Sequence, residues 1–180
     1  MNIRHIWPHL RVALRAMLVA TLVLGIGYPL LVTGLAQLMP GRAHGSLVAD
    51  ADGTVVGSAL IGQSFAGQEG YFQSRPSAVD YDAAGSGGSN LGPTNPELPH
   101  PQPGEPQDAG YSSGSGLDPD ISPANARSQV ATVAAARDLP EAEVADLVEA
   151  TITGRDLGYL GEPTVNVLAL NLALDALDPR

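Results

Sequence analysis

From Ala16 to Gly41 the chain carries no charged side chain. As an α-helix this run would be roughly 39 Å long against a hydrocarbon core of about 30 Å, so it can cross a bilayer with room to tilt. Ala43-His44-Gly45 would serve as a small-residue cleavage site, but the apolar region of a cleavable signal is only about 7 to 15 residues long. The run is therefore expected to stay as an anchor, with residues 12–40 forming a transmembrane helix. Arg4, Arg11 and Arg15 precede it and only Arg42 follows closely. Excess positive charge stays on the cytoplasmic side, which places residues 1–11 in the cytoplasm as a tail and residues 41–180 outside as one domain.

Within the span Ala13, Ala20, Gly27, Gly34 and Gly41 recur every seven residues. Small residues along one seam let a second helix approach closely in lipid and make Ala13, Ala20, Gly27 and Gly34 candidates for a helix–helix interface. The competing reading is compositional, because Gly is common in transmembrane helices. Pro29 removes a backbone donor and frees the carbonyl of Gly25, so a kink is expected there. Tyr28, close to mid-span, fits better against protein than lipid, since its hydroxyl wants a partner.

Charge separates the two parts. Residues 1–41 carry three arginines and no acid, whereas residues 42–180 carry six arginines against nineteen acids, a local charge of -13. No basic patch capable of neutralising phosphates can form on such a domain, so a nucleic-acid partner is excluded. The chain has no lysine, which removes P-loop and Schiff-base chemistry. It has no cysteine either, which removes disulfides and thiolate zinc sites.

Turn and periodicity signals predict an α+β domain of short strands and about three helices, with a Gly/Pro/Ser-rich irregular middle over 83–119. Ser46-Leu47-Val48 and Thr54-Val55-Val56 flank Asp50-Ala51-Asp52-Gly53 and read as a hairpin. Tyr71 to Tyr81 reads as a short extended piece. Ser122 is placed to cap a helix with Pro123 at its first position and Ala126, Val130, Val133 and Ala134 on its buried face. A second helix opens at Pro140 with Glu141 and Glu143 in its first turn and Val144, Leu147, Val148 and Thr151 on one face. Val165 to Leu177 alternates like a strand through its leucines. The reading adopted is a short strand to Asn166, which then caps a last helix.

Motifs for chemistry are weak. Gly110-Tyr111-Ser112-Ser113-Gly114 matches the Gly-x-Ser-x-Gly pattern of a serine hydrolase, which needs a strand before and a helix after the serine. A Pro-rich stretch precedes it, and His100 between prolines offers no credible base. Asp80 with Asp82 and Asp118 with Asp120 read as turn initiators before they read as cation sites. No metal site or catalytic residue is assigned. The glycine-dense runs differ, because they expose backbone groups and permit close approach by another chain. Gly87, Gly88, Ser89, Asn90, Leu91, Gly92, Thr94 and Asn95 in the first, with Ser115, Gly116, Leu117 and Asp118 in the second, are the candidate partner-interface residues. They are expected to be mobile in the isolated domain unless other groups hold them.

A resemblance covers nearly the whole chain. Gly45-Ser46, Val56-Gly57-Ser58 with Leu60-Ile61-Gly62-Gln63, Tyr71-Phe72 with Ser74-Arg75-Pro76-Ser77-Ala78, the Gly87–Pro96 run, the Ser113–Pro119 run, and Gly154-Arg155 through Leu160-Gly161-Glu162-Pro163 to Val165-Asn166-Val167-Leu168 follow in that order behind one span. They resemble the signature blocks of the C subunit of Kdp-type ATP-driven potassium pumps. The resemblance implies a non-catalytic accessory subunit in a bacterial cell membrane, with three partners: a potassium-channel-like subunit, a P-type ATPase subunit and a small helical subunit. It also implies a role in raising the ATP affinity of the ATPase subunit, which makes ATP a possible ligand and no other cofactor expected. With only about fifteen residues ahead of the span in the cytoplasm, the expected topology opposes direct contact with ATP. The alternatives are a free-standing anchored binding domain and a serine hydrolase at Ser112. Two departures from the family pattern stand out: Glu97 to Ala109 is short and holds Pro99, Pro101, Pro103 and Pro106 where a helix is usual, and Asp120 stands where histidine is common.

Overall fold

The computed structural model describes residues 6–177, in two compact units that divide after Ser46. The first unit is helical. Helix α1 (Ile6–Ala20) passes into a seven-residue π-helix (Thr21–Gly27) and on into α2 (Tyr28–Ala36), and a short α3 (Pro40–Ala43) follows. Together Ile6–Ala36 make one helix long and apolar enough to cross a membrane, and none of its most apolar stretch is buried within the chain. The helix begins and ends a few residues ahead of the 12–40 span. The disturbance expected as a kink at Pro29 is met by a widened turn. Tyr28 donates its N–H to the carbonyl of Val23, five residues back, in the π pattern.

In the second unit, β1 (Leu47–Ala49) and β2 (Val55–Ser58) pair antiparallel with a bulge between Val48 and Ala49. Their turn is built by Asp50, whose Oδ1 accepts from the N–H groups of Asp52 and Thr54 at 3.0 and 2.8 Å. Gly53 takes a left-handed φ of 82°, as the Asp-Gly signal requires. The Pro-rich stretch ends in a single helical turn, α4 (Gln107–Gly110), and β3 (Asp120–Ile121) pairs antiparallel with β4 (Val165–Asn166).

Three helices enclose the core: α5 (Pro123–Arg137), α6 (Glu141–Thr151) and α7 (Val167–Leu177). Ser122 caps α5 by accepting from the Asn125 N–H at 3.1 Å, with Pro123 at the first position. Asp138 ends α5 in the left-handed conformation, and Pro140 precedes α6. Asn166 closes β4 and caps α7 by accepting from the Ala169 N–H at 3.0 Å. The leucine alternation in α7 is resolved by burial on several sides: Leu168, Leu170 and Leu174 are all buried, with Val167 and Asn171. Ile121 and Val165 carry the ribbon into the same core, where Val130, Val133, Val144 and Val148 meet Phe72.

Phe72 arrives on a segment that belongs to no sheet. Asn171 of α7 reads its backbone from both sides, Oδ1 accepting from the Phe72 N–H at 2.8 Å and Nδ2 donating to its carbonyl at 3.0 Å. Gln129 of α5 does the same to Gln73, at 2.7 and 3.2 Å. One residue back from Phe72, the Tyr71 ring lies beneath the guanidinium of Arg137 at 4.5 Å, a cation–π contact. The same guanidinium donates to the Gly70 carbonyl at 2.8 Å and pairs with Asp175 at 2.6 Å. Side chains thus satisfy an extended strand's backbone where a neighbouring strand ordinarily would.

Replacing Asn171 with alanine strands two buried backbone groups at about 1–3 kcal/mol each. Asn171→Ala should lower stability by roughly 2–5 kcal/mol in urea unfolding of the full chain. Asn166→Ala removes the α7 cap together with the amide's bonds to the Ala59 carbonyl and Asp120, and should cost about 1–3 kcal/mol.

Candidate partner-binding surface

The two glycine-rich runs lie against each other. The Gly87 N–H donates to the Ser115 carbonyl at 2.8 Å, the Ser86 hydroxyl to the same carbonyl at 3.1 Å, and the Ser77 hydroxyl to the Gly116 carbonyl at 2.6 Å. The second run is also tied to the chain around Gly62, whose N–H donates to the Leu117 carbonyl at 2.9 Å. Asp118 pairs with Arg75 Nη1 at 3.0 Å and accepts from the Asp120 N–H at 3.1 Å. At Gly62 and Gly116 nothing larger fits. A Cβ on Gly62 would stand 2.4 Å from the Asp118 carbonyl oxygen. One on Gly116, where φ is 68°, would stand 2.5 Å from Val79 and 2.6 Å from the Gly87 carbonyl oxygen.

This arrangement divides the twelve residues. Gly87, Ser115, Gly116, Leu117 and Asp118 spend backbone or side-chain groups on holding the runs together, and Gly88 sits where a Cβ would be 3.0 Å from the Gly114 carbonyl oxygen. Ser89, Asn90, Gly92 and Thr94 are exposed, with Leu91 and Asn95 half-buried. Asn90 takes a left-handed φ of 55° and donates to the Gly88 carbonyl at 3.2 Å, and Asn95 Oδ1 accepts from the Glu97 N–H at 2.8 Å. Segment 89–95 is therefore held by local hydrogen bonds, with Ser89, Asn90, Gly92 and Thr94 exposed. The condition attached to the expected mobility, that other groups hold the runs, is met for the second run and for Gly87 by contacts from within the chain.

Asp108 was not singled out by any motif. From α4 it accepts three hydrogen bonds at the start of α5, from the Ser122 N–H at 2.7 Å, the Ser122 hydroxyl at 2.8 Å and the Asn125 amide at 3.2 Å. Partial burial pushes its pKa up, but the hydrogen bonds from Ser122 and Asn125 together outweigh burial and hold it below the ordinary aspartate value, because they favour the charged form. The prolines of 97–109 thus do not exclude helix at the segment's end: Pro106, in the extended region, sits just ahead of α4, where its missing N–H costs the helix nothing. Burial raises the Tyr81 phenol, whose hydroxyl donates to the Arg75 carbonyl beside the Asp118 pair.

Ser112 lacks the elbow its motif needs. A helical turn precedes it, and His100 lies against Tyr111, with Nδ1 3.5 Å from the phenol oxygen. Ala13 and Ala20 lie in α1 and Gly34 in α2, while Gly27 ends the π-helix between them. The α-helical stacking is therefore continuous within the pairs Ala13/Ala20 and Gly27/Gly34, and the widened turn intervenes between the pairs. Gly41 lies beyond the helix, in α3.

A family model described as "KdpC: K+-transporting ATPase, c chain" matches residues 10–176. A protein of Caulobacter vibrioides is 54% identical over 187 residues, covering 95% of this chain and 94% of its own. One from Allorhizobium ampelinum is 51% identical, with 93% and 96% covered, and one from Myxococcus xanthus is 50% identical, with 91% and 85% covered. Each bears the name "Potassium-transporting ATPase KdpC subunit".

Gly116→Ala should destabilise the full chain by at least about 1 kcal/mol in thermal or urea unfolding, since it adds both a clash and a left-handed backbone penalty. Because the folded pKa of Asp108 lies below its unfolded value, its contribution to stability is fully present above about pH 4 and is lost as pH falls through the folded value. Asp108→Asn should flatten that acid limb of the stability profile.

Proposed function

The chain belongs to the KdpC family, the C chains of K+-transporting ATPases, and from that premise we propose that it is a non-catalytic, single-pass accessory subunit that assembles or stabilises a bacterial potassium-uptake pump. What carries this reading is that the similarity runs through the unpartnered apolar helix and the folded domain alike, in residues 10–176. A helix with no buried apolar stretch of its own needs lipid or other helices around it.

The orientation follows from the arginines. Arg11 and Arg15 stand in the first half of the helix and only Arg42 stands just beyond it, which puts the domain outside the membrane. ATP is then out of the domain's reach, and any effect on the ATP affinity of the ATPase subunit is transmitted through the membrane-spanning helices. The channel-like, ATPase and small helical subunits are the proposed partners, and the Gly27/Gly34 pair offers one of them a close approach within lipid.

Protease added outside intact spheroplasts should degrade the chain beyond residue 46 and spare the helix. A protected domain would reverse the orientation and restore direct contact with ATP. Mild-detergent purification should bring down the other pump subunits, whereas purification alone would favour a free-standing anchored domain. Gly34→Leu adds its side chain to space that is empty to 4 Å within the chain, so it tests partner approach without disturbing the helix. It should reduce co-purification several-fold, and Leu31→Ile should leave it unchanged.

A further inference from the structure

Residues 153–164 leave the core as a narrow hairpin. Thr153 and Thr164 exchange two backbone hydrogen bonds at 2.8 and 3.0 Å, Arg155 and Glu162 pair across it at 2.5 Å, and Ile152 packs its base against the core. At the tip the Asp156 carbonyl accepts from the Tyr159 and Leu160 N–H groups at 3.2 and 2.9 Å. The side chains beyond this braced base are apolar and bare: Leu157 is 81% exposed, Tyr159 69% and Leu160 49%.

Leu157 is unsuited to its position in two independent ways. It stands at a φ of 52°. That is the left-handed region, which costs an ordinary side chain on the order of 1 kcal/mol and favours Gly or Asn. It also gives a large apolar surface to water. Asparagine or glycine would serve the turn and the solvent better, so the leucine answers to something outside this chain.

We propose that Leu157, Tyr159 and Leu160 form a docking knob that enters an apolar pocket, rimmed by basic or hydrogen-donating groups, on another subunit of the same pump. The proposal rests on the accessory-subunit reading. An aromatic and two leucines at the centre with Asp156 and the Arg155–Glu162 pair at the edge is the anatomy of an interface hot spot, apolar within and polar at the rim. A lipid surface is the competing occupant, and charge decides against it. Surface-seeking elements carry spare Lys or Arg, whereas here Arg155 is engaged with Glu162 and Asp156 adds a further acid. Anionic headgroups repel a domain this acidic. Three side chains cover only a few hundred Å², too little for a stable interface on its own. Anchoring in the same membrane as the partner raises the effective concentration enough for a small contact to hold.

The pump carrying Leu157→Asn, and separately Tyr159→Ser with Leu160→Ser, is purified in mild detergent beside the wild type. Leu157→Asn should melt no lower than wild type when the chain is produced alone, yet both variants should retain about tenfold less of the other subunits. Unchanged retention overturns the knob. In a Tyr159→Cys chain, which has no other cysteine, an environment-sensitive dye attached before assembly should shift to shorter wavelength on assembly in nanodiscs and resist quenching by lipids brominated on their acyl chains. Quenching would assign the tip to the bilayer, and the absence of a shift would leave it in water; either overturns the proposal. Failure of the wild-type chain itself to bring down other subunits would instead reject the accessory-subunit reading, and the knob with it.

Discussion

The grip of Asn171 and Gln129 on Phe72 and Gln73 is the interaction on which the domain depends. Two short ribbons, β1–β2 and β3–β4, cannot form a sheet large enough to cover three helices. The extended segment at 70–73 fills that place only because two side-chain amides supply the donors and acceptors a neighbouring strand would bring. Phe72 is thereby placed in the core fully buried, and Arg137, itself buried, closes the end of the segment through the Gly70 carbonyl and Asp175. Removing the amides from helices α5 and α7 would leave the core apolar enough to collapse but without a unique position for its only buried aromatic among the described residues.

The helices and the hairpin were legible because their signals are local. The Asp50 turn, the Ser122-Pro123 start, the Pro140 opening with its acidic first turn, and the Asn166 cap each act within a few residues of themselves. Asn171, Gln129 and Arg137 gave no such signal. In a helical pattern a polar residue reads as solvated, and its role appears only when a segment 99, 56 or 67 residues away is brought beside it. Asp108 was hidden for the same reason, with prolines around it arguing against the helical turn it occupies. In the candidate surface, composition alone does not separate the glycines that pack from the turns that face outward. Gly116 and Gly92 look alike in the sequence, and only the neighbours of a Cβ distinguish them.

The blocks that carry the family resemblance turn out to be largely each other's partners. Ser77 holds Gly116, Gly87 holds Ser115, Arg75 holds Asp118, and Asn166 reaches both the Ala59 carbonyl and Asp120 at 3.1 Å. Asp120, where the family commonly has histidine, accepts that amide as an ordinary hydrogen-bond partner. A pattern spread along most of the sequence is thus mostly one contact set holding a low-complexity segment in place. Within those blocks, parts of the 89–95 turns and the tip of the 153–164 hairpin stay exposed.

Because Phe72 waits for a residue 99 positions later, the order in which the chain becomes available bears on its biogenesis. During synthesis the segment at 70–73 emerges early and α7 last. Until α7 is made, the segment at 70–73 lacks the Asn171 amide and Asp175, and loop closure over so long a separation is slow. The nascent domain therefore has no fixed place for its core aromatic until its final helix arrives.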